Sequence, residues 1–256
     1  MNAPHRQQVR DAFAAAEDYD RHARVQRIVA RRLSKRIAAL ELPDRPRILE
    51  IGCGTGFLTE ALILEGVSGD WLITDIAPAM VERCRARVGE GGGRRFGVLD
   101  GEYGDPGEDQ PFDLICSSLV MQWFDDPARA LERMSGWLAP GGCCIFSTLA
   151  PGSFAEWRAA HEAEGLPCGT PQFPAPDQLD TVCPSLHGGP LVIDRLRERH
   201  ESAAEFLHAL RAIGAGTAAA GHRPLAPADL RRAMRRFEDG GASVTYEVAT
   251  GHYQRA

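Results

Sequence analysis

Between residues 6 and 41 the apolar positions recur at steps of three and four. Val25, Ile28, Val29, Leu33, Ile37 and Leu40 make one stripe, the period of a helix with a single buried face. A break near Asp20 divides this segment into a short first helix and a longer second one, and Pro43 and Pro46 end the second. From Arg47 the pattern changes. "RILEIG" (47–52), "WLITDI" (71–76), "RRFGVLDG" (94–101), "FDLICSS" (112–118) and "GGCCIFSTL" (141–149) read as strands, with helical stretches at 56–65, 78–88 and 127–138. The runs at 47–52, 112–118 and 141–149 are nearly all apolar, as in strands buried on both faces of a parallel sheet. Strand and helix in alternation predict a doubly wound, Rossmann-like α/β fold: a seven-stranded, mostly parallel sheet with helices on both faces.

After Leu149 the order loosens. Residues 150–190 are rich in proline and read as a helix (153–164) followed by an irregular segment, a lid inserted after the fifth strand. A strand at 190–200, helices at 202–213 and 227–238 and an alternating strand at 242–254 complete the chain. The expected organisation is one domain over 1–256: an N-terminal helical cap (1–46), a ligand-binding core (47–149), the lid (150–190) and C-terminal strands and helices (191–256).

Composition narrows the class. The 256 residues are 44% hydrophobic and 25% charged, with net charge −6. No apolar run approaches the ~18 residues of a membrane span, and the N-terminal stretch has no apolar signal-type core, so a cytoplasmic protein is expected. The negative charge argues against a nucleic-acid partner. Cys53, Cys84, Cys116, Cys143, Cys144, Cys168 and Cys183 contain no C-x-x-C spacing, so reduced, mostly buried thiols are expected, and no metal site. Charge is unevenly placed: residues 1–47 carry 11 basic against 6 acidic groups, and 195–236 carry 9 against 4. Two basic segments on an acidic chain would steer an acidic partner.

The candidate chemistry starts at "ILEIGCGTG" (48–56), a strand entering a glycine turn. The dinucleotide fingerprint is G-x-G-x-x-G. Here Gly52, Gly54 and Gly56 give G-x-G-x-G, with the third glycine one residue early and Phe57 in its place. With Glu50 ahead of it, the stretch resembles the first motif of class I methyltransferases, which use S-adenosylmethionine. Glycines let the backbone approach a ligand, and the next helix offers N–H groups to a carboxylate. Asp75, followed by Ile76, ends the second strand 19 residues past Gly56, where a carboxylate accepts from ribose hydroxyls. Asp100, Gly101 and Glu102 follow the third strand; in this superfamily an acid there contacts the adenine amino group, and Asp100 is the preferred residue. Ser117 ends the fourth strand, beside the expected methionine moiety.

Longer stretches name the acceptor. "AFAAAEDYDRHARVQR" (12–27), "SSLVMQWFDDP" (117–127), "FSTLAPGSFAEW" (146–157), "EFLHALRAIGA" (205–215) and "TYEVATG" (245–251) occur together and in order. They resemble the BioC family of malonyl-[acyl-carrier protein] O-methyltransferases over nearly the whole chain. The resemblance implies methyl transfer to the free carboxylate of malonyl-acyl-carrier protein, or malonyl-CoA, priming biotin synthesis, by a monomer with an acidic protein partner. It places Tyr19 over the cofactor, where its hydroxyl is expected as a catalytic group that hydrogen-bonds near the methionine end or the acceptor carboxylate; His22 and Gln26, three and seven residues on, are expected by their spacing to share its helical face. Gln122 and Trp123 follow the fourth strand, at the carboxyl edge where open α/β sheets bind ligands; Gln122 is expected as a catalytic residue that hydrogen-bonds the thioester or amide of the acceptor arm, and Trp123 as an apolar wall. Arg211 is expected near the carboxylate or the carrier, and Arg231, Arg232, Arg235 and Arg236 form a basic helix for the acidic carrier. A malonyl carboxylate is ionised near neutral pH and needs no general base. Alternatives are methylation of another small acid, of the trans-aconitate type, or of a quinone ring carbon; an NAD(P) dehydrogenase; and a regulator that binds S-adenosylmethionine without catalysis.

Overall fold

The computed structural model describes residues 3–180, 186–219 and 221–256. The chain forms two compact units. The core unit comprises Gln26–Thr148, Pro174–Ile193 and Ala249–Ala256; the second comprises Met1–Val25, Leu149–Phe173 and Asp194–Val248.

The N-terminal helices are α1 (Ala3–Ala14), α2 (Tyr19–His22) and α3 (Arg24–Ala38). The predicted break falls before Tyr19, and a further interruption at Ala23 separates α2 from α3. Tyr19 and Gln26 therefore do not share one helix face, a correction to the helical-face reading. The stripe on α3 is as expected: Val25, Val29, Leu33 and Ile37 are buried, while Arg31, Arg32, Lys35 and Arg36 are exposed. Burying each such aliphatic side chain stabilises the fold by roughly 1.5–3 kcal/mol.

In the core unit, strands β1 (Arg47–Ile51), β2 (Asp70–Asp75), β3 (Arg94–Val98), β4 (Phe112–Ser118) and β5 (Leu138–Leu149) alternate with helices α4 (Phe57–Leu64), α5 (Pro78–Val88) and α6 (Pro127–Trp137). The order is β3-β2-β1-β4-β5, all parallel. Register sets apolar residues side by side: Ile48 opposes Trp71 and Leu114, and Leu49 opposes Leu72 and Ile115. The strand order reverses between β1 and β4, so their carboxyl ends open a crevice, the usual ligand position of such sheets. The third strand stops at Val98 rather than residue 101, because Asp100 closes a turn on the N–H groups of Glu102 and Tyr103.

Beyond the fifth strand the pattern was less legible. The expected lid contains α7 (Ala155–Ala163), α8 (Pro176–Asp180) and a short strand β6 (Leu186–Gly188), the latter two unforeseen; part of that segment, with Cys183, lies outside the described residues. Next come β7 (Val192–Arg199), α9 (Ala203–Ala212), α10 (Pro227–Asp239) and β8 (Ser243–Arg255). In the sheet β8 lies between β5 and β6, antiparallel to β6, and also pairs with β7. The second unit has its own aromatic core, where Trp157 meets Phe206 and Phe237 with ring centroids 5.5 and 5.3 Å apart, edge-on geometry that suits the ring quadrupoles. No described helix is long and apolar enough to cross a membrane.

Candidate active site

The glycine turn leaves β1 with Gly52, Gly54 and Gly56 at φ of 71°, 53° and 93°, backbone that side chains with a Cβ rarely adopt. At Gly52 space is missing as well: a Cβ would lie 2.3 Å from Val120 Cγ2. The turn therefore rests directly on the residues that follow β4.

Asp75, at the end of β2, ties this turn down. Its Oδ2 accepts from the Gly54 N–H and its Oδ1 from the Ala77 N–H, both at 2.9 Å. Burial raises its pKa, opposed by the N–H groups of Ala77, Gly54 and Ile76. A carboxylate has about four lone-pair sites, more than these N–H groups fill, so it retains acceptor capacity for a sugar diol. Ile76 is half-buried beside it.

Glu50 was expected among the cofactor contacts. The structure corrects this: Glu50 is 1% exposed and its Oε2 accepts from Thr59 Oγ1 at 2.6 Å. It fastens β1 to α4 underneath the turn. Burial drives its pKa to about 7, with the Thr59 hydroxyl opposing and the nearby Asp75 charge adding to the rise. The sign of the linkage follows. The unfolded chain ionises Glu50 near 4.5, the folded one only near 7, so its contribution to stability falls as pH rises across that window. The loss is about 3 kcal/mol at one pKa unit per 1.36 kcal/mol. Glu50→Gln should reduce the slope of stability between pH 5 and pH 8 in urea titrations, leaving a smaller residual slope of the same sign from Asp75. An unchanged slope would exclude Glu50 as its source.

A second correction concerns Glu102. It too is buried, and its carboxylate accepts from the N–H groups of Asp125 and Asp126 at 3.0 and 2.8 Å. It holds the approach to α6. Asp100, half-buried, is oriented by the two N–H groups its Oδ1 accepts, and Gly101 lies close under β1, where a Cβ would be 2.3 Å from Ile51 Cγ2. Ser117 is also committed within the sheet: its hydroxyl donates to the Ile51 carbonyl at 3.0 Å. That bond locks β4 to β1 at the mouth of the crevice.

Gln122 and Trp123 lie in a turn of 3-10 helix (Met121–Trp123), both half-buried. Gln122 Nε2 donates to the Leu119 carbonyl at 2.7 Å, and its Oε1 accepts from Thr148 Oγ1 at 3.2 Å. Leu119 has φ of 55°, an uncommon state for a branched residue that concentrates at functional sites. Sequence reasoning missed Leu119, Ser147 and Thr148; "SSLV" contains no glycine or proline to signal the kink. Apart from Gln26, which lies in the core unit, the remaining predicted residues belong to the second unit. Tyr19 begins α2, half-buried; His22 meets His208 edge-on at 5.2 Å. Arg211 is exposed in the last turn of α9. On α10, Arg232 is bound to Glu164 at 2.9 Å and Asp229 at 3.2 Å, whereas exposed Arg231, Arg235 and Arg236 form no ion pair among the described residues. The described cysteines are unpaired thiols, and all but Cys168 are buried; burial raises the pKa of Cys116, Cys143 and Cys144, and a hydrogen bond with Cys84 together with burial raises that of Cys53, which keeps them unreactive.

A family model described as "Methyltransferase domain" matches residues 49–144. Among solved structures, the YcgJ protein of Bacillus subtilis covers 87% of this chain and 97% of its own at TM-score 0.60 and 15% identity. A putative methyltransferase of Bacillus halodurans covers 86% and 96% at TM-score 0.58 and 14% identity. With the glycine turn at the carboxyl end of β1, these define the fold as that of class I methyltransferases. At the level of sequence, a malonyl-[acyl-carrier protein] O-methyltransferase of Magnetococcus marinus is 40% identical over 100% of this chain and 97% of that protein. The biotin biosynthesis bifunctional protein BioCD of Bordetella avium is 43% identical over 94% of this chain, which spans about half (51%) of that longer protein. The chain belongs to the malonyl-[acyl-carrier protein] O-methyltransferase family.

Proposed function

We propose that the protein transfers a methyl group from S-adenosylmethionine to the free carboxylate of a malonyl group held as a thioester on an acyl-carrier protein, giving the methyl ester that primes biotin synthesis. It acts as a cytoplasmic monomer. The observation that carries this reading is the relationship over the whole chain to a protein named for that reaction; the glycine turn alone is shared by many methyltransferases.

The residues present fit the cofactor. Gly52, Gly54 and Gly56 present backbone without side chains, Asp75 accepts from the ribose hydroxyls, and Asp100 accepts from the adenine amino group, with Ile76 and Gly101 lining the base. When bound, S-adenosylmethionine supplies an electrophilic methyl group on a sulfonium. The protein's own task is alignment and exclusion of water, because the malonyl carboxylate is already ionised. Gln122 donates an amide N–H to a carbonyl of the acceptor, and Trp123 walls the same side against water.

The carrier is bound by charge. Acyl-carrier proteins are acidic, and Arg231, Arg235 and Arg236 on α10, with Arg211 on α9, offer cations that form no ion pair among the described residues. Electrostatic steering of this kind changes association rates by roughly 10- to 1000-fold. The triple change Arg231→Glu, Arg235→Glu and Arg236→Glu should lower kcat/KM for malonyl-carrier protein at least tenfold at low salt and leave the KM for S-adenosylmethionine unchanged. Arg232→Glu alone should do less, since Arg232 is already paired. Equal effects of the two changes would overturn the docking assignment.

The reaction is tested by incubating malonyl-carrier protein with S-adenosylmethionine and following the mass of the carrier. One added methyl, lost on ester hydrolysis, is expected. No gain, under conditions where S-adenosylmethionine binds, would overturn the reading.

A further inference from the structure

The Gln122 side chain is held by the protein at both ends, and the holding is directional. A carbonyl oxygen can only accept a hydrogen bond. The Leu119 carbonyl, 2.7 Å away, therefore fixes the amide nitrogen toward itself. The amide oxygen is then left facing Thr148 Oγ1 at 3.2 Å, where the hydroxyl donates. Thr148 is fully buried, at 0% exposure near the end of β5. Leu119 is itself immobilised from β5, since its N–H donates to the Ser147 carbonyl at 2.9 Å and to Ser147 Oγ at 3.2 Å. The ends of β4 and β5 are parallel neighbours, with Ser118 opposite Ser147. Two consecutive residues of β5 thus act on the segment after β4: Ser147 sets the kink at Leu119, and Thr148 sets the amide of Gln122.

We infer that Thr148 is a positioning residue for methyl transfer: its hydroxyl fixes the amide orientation of Gln122, so that the second amide N–H is presented to the acceptor. The inference rests on the acceptor-binding role proposed for Gln122. Thr148 touches no reacting atom. Without its hydroxyl, only the Leu119 carbonyl holds the amide, and the amide turns about its terminal torsion, which is broad and weakly hindered. A half-buried amide oxygen is then left without its donor, a further incentive to rearrange.

A double-mutant cycle separates the possibilities. Thr148→Val removes the hydroxyl and keeps the branched shape; Thr148→Ser keeps the hydroxyl. With malonyl-carrier protein, Thr148→Val should lower kcat roughly three- to tenfold, the worth of one hydrogen bond, with the KM for S-adenosylmethionine unchanged. Thr148→Ser should restore most of the loss. In a Gln122→Ala background Thr148→Val should cost nothing further. The assignment is overturned if Thr148→Val retains full kcat, if Thr148→Ser is as impaired as Thr148→Val, or if the loss persists undiminished in the Gln122→Ala background. Full activity of Gln122→Ala alone would remove the role of Gln122 and this inference with it, while methylation of the carrier by the unaltered protein would still stand. Thermal unfolding of each variant identifies a loss that comes only from misfolding.

Discussion

Asp75→Ala will weaken S-adenosylmethionine binding by at least about a hundredfold. Its carboxylate accepts the Gly54 and Ala77 N–H groups, both at 2.9 Å, and hydrogen bonds to a charged partner contribute roughly 1.5–3 kcal/mol each. The loss has two parts. The ribose would lose the acceptor proposed for it, and the glycine turn loses the anchor that holds Gly54 in its left-handed conformation. Asp75→Asn should be nearly as harmful. One carboxylate oxygen becomes an amide NH2, and that donor must face the N–H of either Gly54 or Ala77. Calorimetric titration with S-adenosylmethionine checks both variants. An affinity within threefold of the unaltered protein for Asp75→Ala would show that Asp75 neither holds the turn nor meets the cofactor.

The same residue shows where sequence reasoning reaches and where it stops. The place of Asp75 at the end of β2 was legible, because a strand followed by a proline-started helix is a local pattern. Its grip on Gly54 was not, since that bond exists only when β1 and β2 pair in parallel. Glu50 and Glu102 fail for a related reason. As letters they are acids beside a binding motif; in the fold one is consumed by Thr59 and the other by the N–H groups of Asp125 and Asp126. Those partners lie 9 to 24 residues away in the chain, beyond any local pattern. The parallel strands were legible as buried apolar runs, whereas β6, three residues long, carries too little pattern to be seen. Ala23 interrupts the N-terminal helices without a proline or glycine, so the apolar stripe alone gave no sign of it.

The largest expected effect on folding lies at Gly214, in the stretch "LRAIGA". Gly214 follows α9 with φ of 71°, and the N–H groups of Gly214 and Ala215 close back on the carbonyls of Arg211 and Leu210 at 2.9 Å each, a left-handed helix cap. A Cβ there would lie 3.0 Å from both N and Cα of Phe13 in α1 and 2.9 Å from its ring. The ring can move; the backbone of a helix cannot. Gly214→Ala then combines a left-handed alanine, about 1–2 kcal/mol, with overpacking against fixed atoms, about 1–3 kcal/mol. The second unit should be destabilised by roughly 2–5 kcal/mol in all. Gly216→Ala, two residues on, is the matched control: its φ is not left-handed, and the nearest atom to its Cβ is Cγ of the flexible Arg211 side chain at 3.0 Å. Amide exchange in α1 and α9 reads the difference directly, because local opening reports the stability of the contact. Faster exchange in both helices for Gly214→Ala alone is expected, and equal exchange in the two variants would refute it. Phe13 belongs to "AFAAAEDYD" and Gly214 to "LRAIGA", segments 201 residues apart that meet within the second unit, so the glycine is required by a residue far away in the chain.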